Sequence, residues 1–216
     1  KCNLVRYYFI QFDEHITPIQ HKLRKSIIHN DANDWNILAT NGKVTGIVDF
    51  GDMCHSWLIN ELAIGLTYVM MAEEQPLAVA ETVISAYNNI LPLQEQELDA
   101  LYYLVAARLC TSVCNSAHTK KQKPDSDYIT ISEQPAWDLL RKWLRINPIL
   151  AQDCFRKACD FTETKKKTLE HQLHRRTESI SRALSLSYTN PIQMSRSAFQ
   201  FMYDTDGNTI LDAYNN

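Results

Sequence analysis

The chain has 216 residues, 45% of them hydrophobic, with 22 Lys and Arg against 25 Asp and Glu and a net charge of −3. That suffices for one good-sized domain plus an appendage, and the balanced charge excludes a broad basic footprint for nucleic acid. No apolar run approaches the roughly 20 residues of a bilayer span and the N-terminus has no signal-peptide pattern, so a cytoplasmic protein with no membrane or nucleic-acid partner is expected.

In chain order, the first 28 residues carry Leu4, Tyr7, Tyr8, Ile10, Phe12, Ile16 and Ile19 at helical spacing and read as one amphipathic helix. The most informative stretch follows: Ser26-Ile27-Ile28-His29-Asn30-Asp31, then Asn36-Ile37-Leu38, then Ile47-Val48-Asp49-Phe50-Gly51-Asp52. Residues 36–40 and 44–48 are β-prone and flank Asn41-Gly42, the strongest short hairpin signal. A hairpin there brings Asn36 and Asp49 side by side at its open end, with Asp31 on the loop that enters it. Phosphoryl transfer asks for an oriented hydroxyl and for divalent cations that neutralise phosphate oxygens. His29-x-Asp31-x4-Asn36 offers a carboxylate for the hydroxyl and an amide oxygen for a metal, and Asp49-Phe50-Gly51 offers the second ligand. One Mg²⁺ held by these hard oxygens, nucleotide phosphates and water suits that ion.

Helices are expected over 60–73, 76–89, 94–117, 134–145 and 148–161, with a Lys-rich, Pro124-containing loop over 118–126. Arg108 is an isolated cation in an apolar helix, open to pairing with a site carboxylate, with a substrate group or with a purely structural partner. The six cysteines lack zinc-site spacing and read as reduced thiols; Cys110 and Cys114 share a helix face, where packing is the ordinary role. Residues 162–184 form a basic stretch without stacking aromatics and read as a solvated linker helix. Near the end, Asp206-Gly207 sits between two β-prone runs and marks a second hairpin.

Residues 26–65 resemble the aminoglycoside phosphotransferase and choline kinase superfamily, relatives of the protein kinases. The run 45–53 followed by Asn60-Glu61-Leu62-Ala63-Ile64 is similar in particular to hydroxylysine kinase-like members. The resemblance implies Asp31 as catalytic base, Asn36 and Asp49 as Mg²⁺ ligands, ATP as phosphate donor and a small amino alcohol as acceptor. It implies that His29 braces the loop, and it leaves Asp52 and Glu61 either as helpers of substrate or loop or as ordinary surface carboxylates. Asn30 stands where many relatives have Gly, a mild departure because Asn tolerates left-handed backbone. The run Ala198–Asn216 resembles the opening of class III aminotransferases, a pyridoxal-phosphate (PLP) family; the cofactor's Schiff-base Lys would lie further downstream.

Together these resemblances imply a mainly α (α+β) fold: a phosphotransferase C-terminal lobe over 1–161 with a small hairpin at its site, a linker helix over 162–184, and the start of an aminotransferase-like domain over 185–216. No Gly precedes Gly42, so the Gly-rich nucleotide loop of such kinases is not in this stretch. The chain is expected to be part of a longer fused polypeptide and inactive alone, with a kinase making the phosphate ester that a PLP-dependent lyase would eliminate. The alternative is a non-catalytic kinase-like binding module of an aminotransferase. Deprived of a parent sheet, the C-terminal segment is expected to be disordered, domain-swapped or lodged against another chain as a homo-oligomer contact.

Overall fold

The computed structural model describes residues 1–122, 133–163, 169–180 and 190–213, arranged as helices with three small antiparallel sheets. The first helix, α1 (Cys2–His15), is half the length that the apolar spacing predicts. It ends where Thr17 precedes Pro18, because a residue before proline is pushed out of helical conformation. The chain then passes a 3₁₀ turn (Gln20–Lys22) into a strand, β1 (Lys25–Ile28). Of the expected apolar face, Tyr8 and Ile16 enter the core, whereas Ile10 is exposed.

The hairpin forms where Asn-Gly places it, between β2 (Ile37–Thr40) and β3 (Lys43–Ile47). Asn41 and Gly42 take φ of 51° and 74°, the positive pair that a tight two-residue turn needs. After a 3₁₀ turn (Phe50–Asp52), β4 (Cys54–Trp57) returns antiparallel to β1, with Ile28 opposite Cys54 and Lys25 opposite Trp57.

Five helices build the core: α2 (Ile59–Met70), α3 (Pro76–Ile90), α4 (Glu95–Gln122), α5 (Glu133–Arg145) and α6 (Pro148–Lys157). The 28-residue α4 is the axis, about 42 Å long, and α1, α2, α5 and α6 all pack on it. It runs through residues 118–122, the first half of the expected loop; the remainder, 123–126, lies outside the described residues. Tyr102 and Trp143 lock α4 to α5, their rings stacked 5.2 Å apart. Each side chain donates to the other's backbone carbonyl, at 3.1 and 3.0 Å, so two buried polar groups are satisfied at once. Arg24, just before β1, grips the fully buried Glu97 of α4 through Nε and Nη2 at 2.8 and 2.6 Å, a two-pronged pair that fixes where β1 begins. Helices α2 and α6 stop before the expected 73 and 161, near left-handed Ala72 and Asp160. Within the expected linker, α7 (Leu169–Ser179) is helical, and its flanks 164–168 and 181–189 lie outside the described residues.

The C-terminal segment departs most from expectation. It forms a three-stranded meander, β5 (Met194–Ala198), β6 (Phe201–Asp204) and β7 (Thr209–Leu211), with Gly207 at φ 91° in the expected second turn. It is ordered and lodges on this chain's own helices. Tyr203 and Ala198 join the hydrophobic core, and the Tyr203 hydroxyl donates to the Leu144 carbonyl at the end of α5. Asn147, the N-cap of α6, donates through Nδ2 to the carbonyls of Asp204 and Asn208 while its Oδ1 accepts from the Ile149 amide.

On α1, Arg196 donates to Gln11 at 2.7 Å and to Nε2 of His15, whose ring lies parallel to Tyr103 at 4.2 Å. Arginine only donates, so Nε2 must be unprotonated and His15 neutral. Burial, then the charge of Arg196, pushes His15 down to about 4. The unfolded chain takes up this proton near the ordinary histidine value of about 6.5 and the folded one only near 4, so stability falls as pH drops through that window. His15 is partly exposed, which discounts the full shift to roughly 1–2 kcal/mol. In urea titrations between those pH values, His15→Gln should flatten the slope; an unchanged slope would assign the dependence to other groups.

Candidate active site

The site is assembled where β1 ends and the hairpin opens. His29 leaves β1 and its Nε2–H donates to the Val48 carbonyl at 2.9 Å, fixing the tautomer and tying β1 to the residue before Asp49. Phe50 meets the His29 ring edge-on at 5.1 Å. Asn30 adopts φ 66°, a left-handed turn that Asn tolerates, and its amide donates to Glu61 of α2 at 2.9 Å. Glu61 therefore holds the loop, whereas Asp52 is exposed.

Asp31 is held by three side chains. Its Oδ1 accepts from Arg108 Nη2 at 2.7 Å; its Oδ2 accepts from Asn33 and Asn36 Nδ2, each at 2.9 Å. Asn36 also donates to the Asp31 carbonyl at 3.0 Å. Both acceptors are oxygens, so the nitrogen of the amide faces Asp31 and Oδ1 is turned away from those two oxygens. The Val48 amide donates to the Asn36 carbonyl at 2.9 Å, continuing the ladder and bringing Asp49 beside the start of β2. Asp49 itself sits at φ 62°, and its Oδ1 accepts from the Gly51 amide at 3.3 Å. Thus Asp31 and Asn36 are in direct contact, and Asp49 lies one residue past Asn36's backbone partner.

Sequence reasoning left Arg108 open and missed Asn33 and Tyr68. Arg108 comes from α4, 77 residues from Asp31; its Nη2 also donates to the Tyr68 hydroxyl at 2.9 Å, and its guanidinium lies 5.5 Å over the Tyr68 ring. Its Nε is buried with no partner. Tyr68 follows Glu61 by seven residues on α2, two turns along the same face, which was the available signal. Asn33 had one too: its Oδ1 accepts from the amides of Trp35 and Asn36, the local turn that Asn builds two and three residues ahead.

Around the site the hairpin's apolar side chains are uncovered: Ile37, Leu38, Val44, Ile47 and Val48 are all exposed, as are Trp35 and Phe50. Among the described residues no group of three or more His, Cys, Asp or Glu converges as a metal centre. Cys110 is buried, its thiol pushed up to about 12, and Cys114 is exposed; no described helix is long and apolar enough to cross a membrane.

Residues 9–105 match the profile of the phosphotransferase enzyme family designated APH. The chain is similar to the hydroxylysine kinase of Danio rerio, 33% identical over 137 residues that make up 61% of this chain and 39% of that protein. It is 32% identical over 142 residues to the hydroxylysine kinase of Xenopus laevis, again 61% of this chain and 38% of that one. A homoserine kinase of Gluconobacter oxydans (strain 621H) is 30% identical over 86 residues, 39% of this chain and 27% of its own. The chain therefore spans about two fifths of the hydroxylysine kinases it matches. These likenesses relate the stretch that holds Asp31, Asn36 and Asp49 to phosphotransferase-family sequences.

Proposed function

We propose that this chain carries the acceptor and metal half of an ATP- and Mg²⁺-dependent kinase that phosphorylates a hydroxyl of a small amino alcohol, of the hydroxylysine kind. The observation that carries the reading is Asp31: a carboxylate on a loop, half-buried, fixed by three side-chain donors and contacting a metal-ligand candidate. Asp31 takes the proton of the acceptor hydroxyl on a carboxylate oxygen as that hydroxyl attacks the terminal phosphorus; the bond from that phosphorus to the bridging oxygen breaks and ADP leaves on it. Arg108 is a positioning residue, keeping Oδ1 aimed while Asn33 and Asn36 hold Oδ2. Asn36 Oδ1 and the Asp49 carboxylate are hard oxygen donors of the kind Mg²⁺ takes alongside phosphate and water. A Mg²⁺ held there would neutralise charge on the phosphate oxygens. His29 and Glu61 keep the two loops in register.

The uncovered apolar hairpin supports a further, nucleotide-covering half that would bury it, since exposed apolar clusters mark contact surfaces. The same reading includes fusion to a class III aminotransferase-type lyase downstream. The test is ATP-dependent phosphate transfer by the full-length protein to hydroxylysine or ethanolamine, followed by ³¹P NMR with Mg²⁺ or with EDTA. Transfer only with Mg²⁺ bears the proposal out; no transfer to any amino alcohol leaves the binding-module alternative.

Gly51 gives a narrower test. A Cβ there would stand 3.2 Å from Asp49 Oδ1, so in Gly51→Ala the carboxylate must give by a few tenths of an ångström. We expect Mn²⁺ or Mg²⁺ affinity to fall about tenfold, read by Mn²⁺ electron paramagnetic resonance as well as by activity. Unchanged affinity in both Gly51→Ala and Asp49→Asn would remove Asp49 as a ligand.

A further inference from the structure

At the far end of the β1–β4 ladder from Asp31 lies a second cleft, of about 520 Å³, that no step of the proposed reaction uses. Lys25, His55 and Trp57 line it from the ladder; Thr17, Gln20 and His21 close it from the turn after α1. Lys25 pairs with Trp57 and Ile27 with His55, so all four side chains stand on one face of the two strands. No carboxylate lines the cleft. Neither Lys25, His21 nor His55 is engaged in an ion pair among the described residues, although the chain is acidic overall. Lys25, a positive charge without a counter-charge, and two imidazoles with N–H donors around one concavity free of carboxylates set this spot against the sign of the whole molecule.

We propose that this cleft is a binding site for a phosphate group carried by a small molecule, separate from the candidate active site. The donor set selects phosphate over carboxylate. A planar carboxylate is matched by the arginine fork, and no Arg lines the cleft; lysine serves as a point charge for phosphate. Each imidazole offers an N–H donor in either protonation state, and Thr17 adds a hydroxyl donor from the turn after α1, a second direction as a tetrahedral anion requires. The half-buried indole of Trp57 gives an apolar wall for the rest of the ligand. The two strands that hold this ligand are those whose other ends lead into His29–Asp31 and out of the Asp49–Asp52 turn, so occupancy would stiffen the frame behind the site.

The test is binding, independent of catalysis. The chain is titrated with pyrophosphate, with inorganic phosphate and with acetate, in EDTA, by calorimetry and by tryptophan fluorescence. Pyrophosphate should bind with a dissociation constant on the order of 1 mM or tighter, phosphate more weakly, and acetate not measurably. The exposed triple variant His21→Gln/Lys25→Gln/His55→Gln should keep the circular dichroism of the parent and bind pyrophosphate at least tenfold more weakly. Asp49→Asn should leave that binding unchanged. The proposal is overturned by absent pyrophosphate binding, by acetate binding equally well, by full retention in the triple variant, or by loss in Asp49→Asn, which would place the anion at the other site. Failure of phosphate transfer to any amino alcohol would leave this result untouched.

Discussion

Replacing Asp31 with Asn in the full-length protein should lower kcat for phosphate transfer about 1,000-fold, the middle of the range for a positioned general base. That corresponds to about 4 kcal/mol of barrier. The loss should fall on kcat, with KM for nucleotide little changed, because Asp31 is placed to meet the acceptor hydroxyl. The substitution also has a structural cost that must be read separately. An Asn side chain at 31 would turn an Nδ2 donor toward at least one of Arg108, Asn33 and Asn36, all of which donate there now. A donor facing a donor costs about 1–3 kcal/mol of stability, so the melting temperature has to be measured beside the rate. Arg108→Met separates the two roles: it removes the charge and the Tyr68 contact while leaving the carboxylate ionisable. We expect a tenfold to hundredfold loss for Arg108→Met, smaller than for Asp31→Asn, as befits a residue acting through another. Equal losses in both variants would mean that Arg108 touches the substrate itself. Full activity in Asp31→Asn would end the case for Asp31 as base.

How much of this was legible in the chain depends on the reach of each contact. The hairpin and the order His29, Asp31, Asn36, Asp49 were readable because every determinant lies within about 20 residues: a turn that demands positive φ, β-prone flanks, and a two-residue strand period. Arg108 was not readable as the partner of Asp31, nor Tyr68 as the partner of Arg108. Helical period tells which face a residue occupies but not which loop crosses that face 40 or 77 residues away in sequence. The first helix was overextended because Ile16 and Ile19 fit its spacing, while the stop at Thr17-Pro18 is a single local signal. The loop over 118–126 was begun too early for the opposite reason: His118 to Gln122 are polar, yet polar residues continue a helix readily when one side is solvent. In the meander, β5 escaped notice because Met194-Ser195-Arg196-Ser197-Ala198 has no apolar alternation of its own. Its strand state comes from pairing with β6, and its place on the lobe from Arg196 reaching α1, 185 residues away at Gln11.

Tyr203→Ala should destabilise the whole lobe, not the meander alone, by about 4 kcal/mol, the cost of emptying a fully buried aromatic site. For a domain of this size that is a fall of roughly 10 °C in melting temperature. Tyr203→Phe keeps the ring and loses only the donation to the Leu144 carbonyl, and should cost about 1 kcal/mol. The comparison decides what the last described residues are. If they rested loosely on the surface, unfolding followed by tryptophan fluorescence, with Trp143 at the centre of the helical core, would be the same in parent and Tyr203→Ala. The contacts argue otherwise: Tyr203 closes over the end of α5, Asn147 of α6 holds two carbonyls of the β6–β7 turn, and Arg196 is bound to α1. All three helices lie on α4, the helix that delivers Arg108 to Asp31. Loosening the meander should therefore be felt at the candidate base, and Tyr203→Ala should lower the protection of the Asn36–Val48 backbone hydrogen bond in hydrogen exchange. Protection confined to change within 190–213 would instead make the meander an independently opening unit.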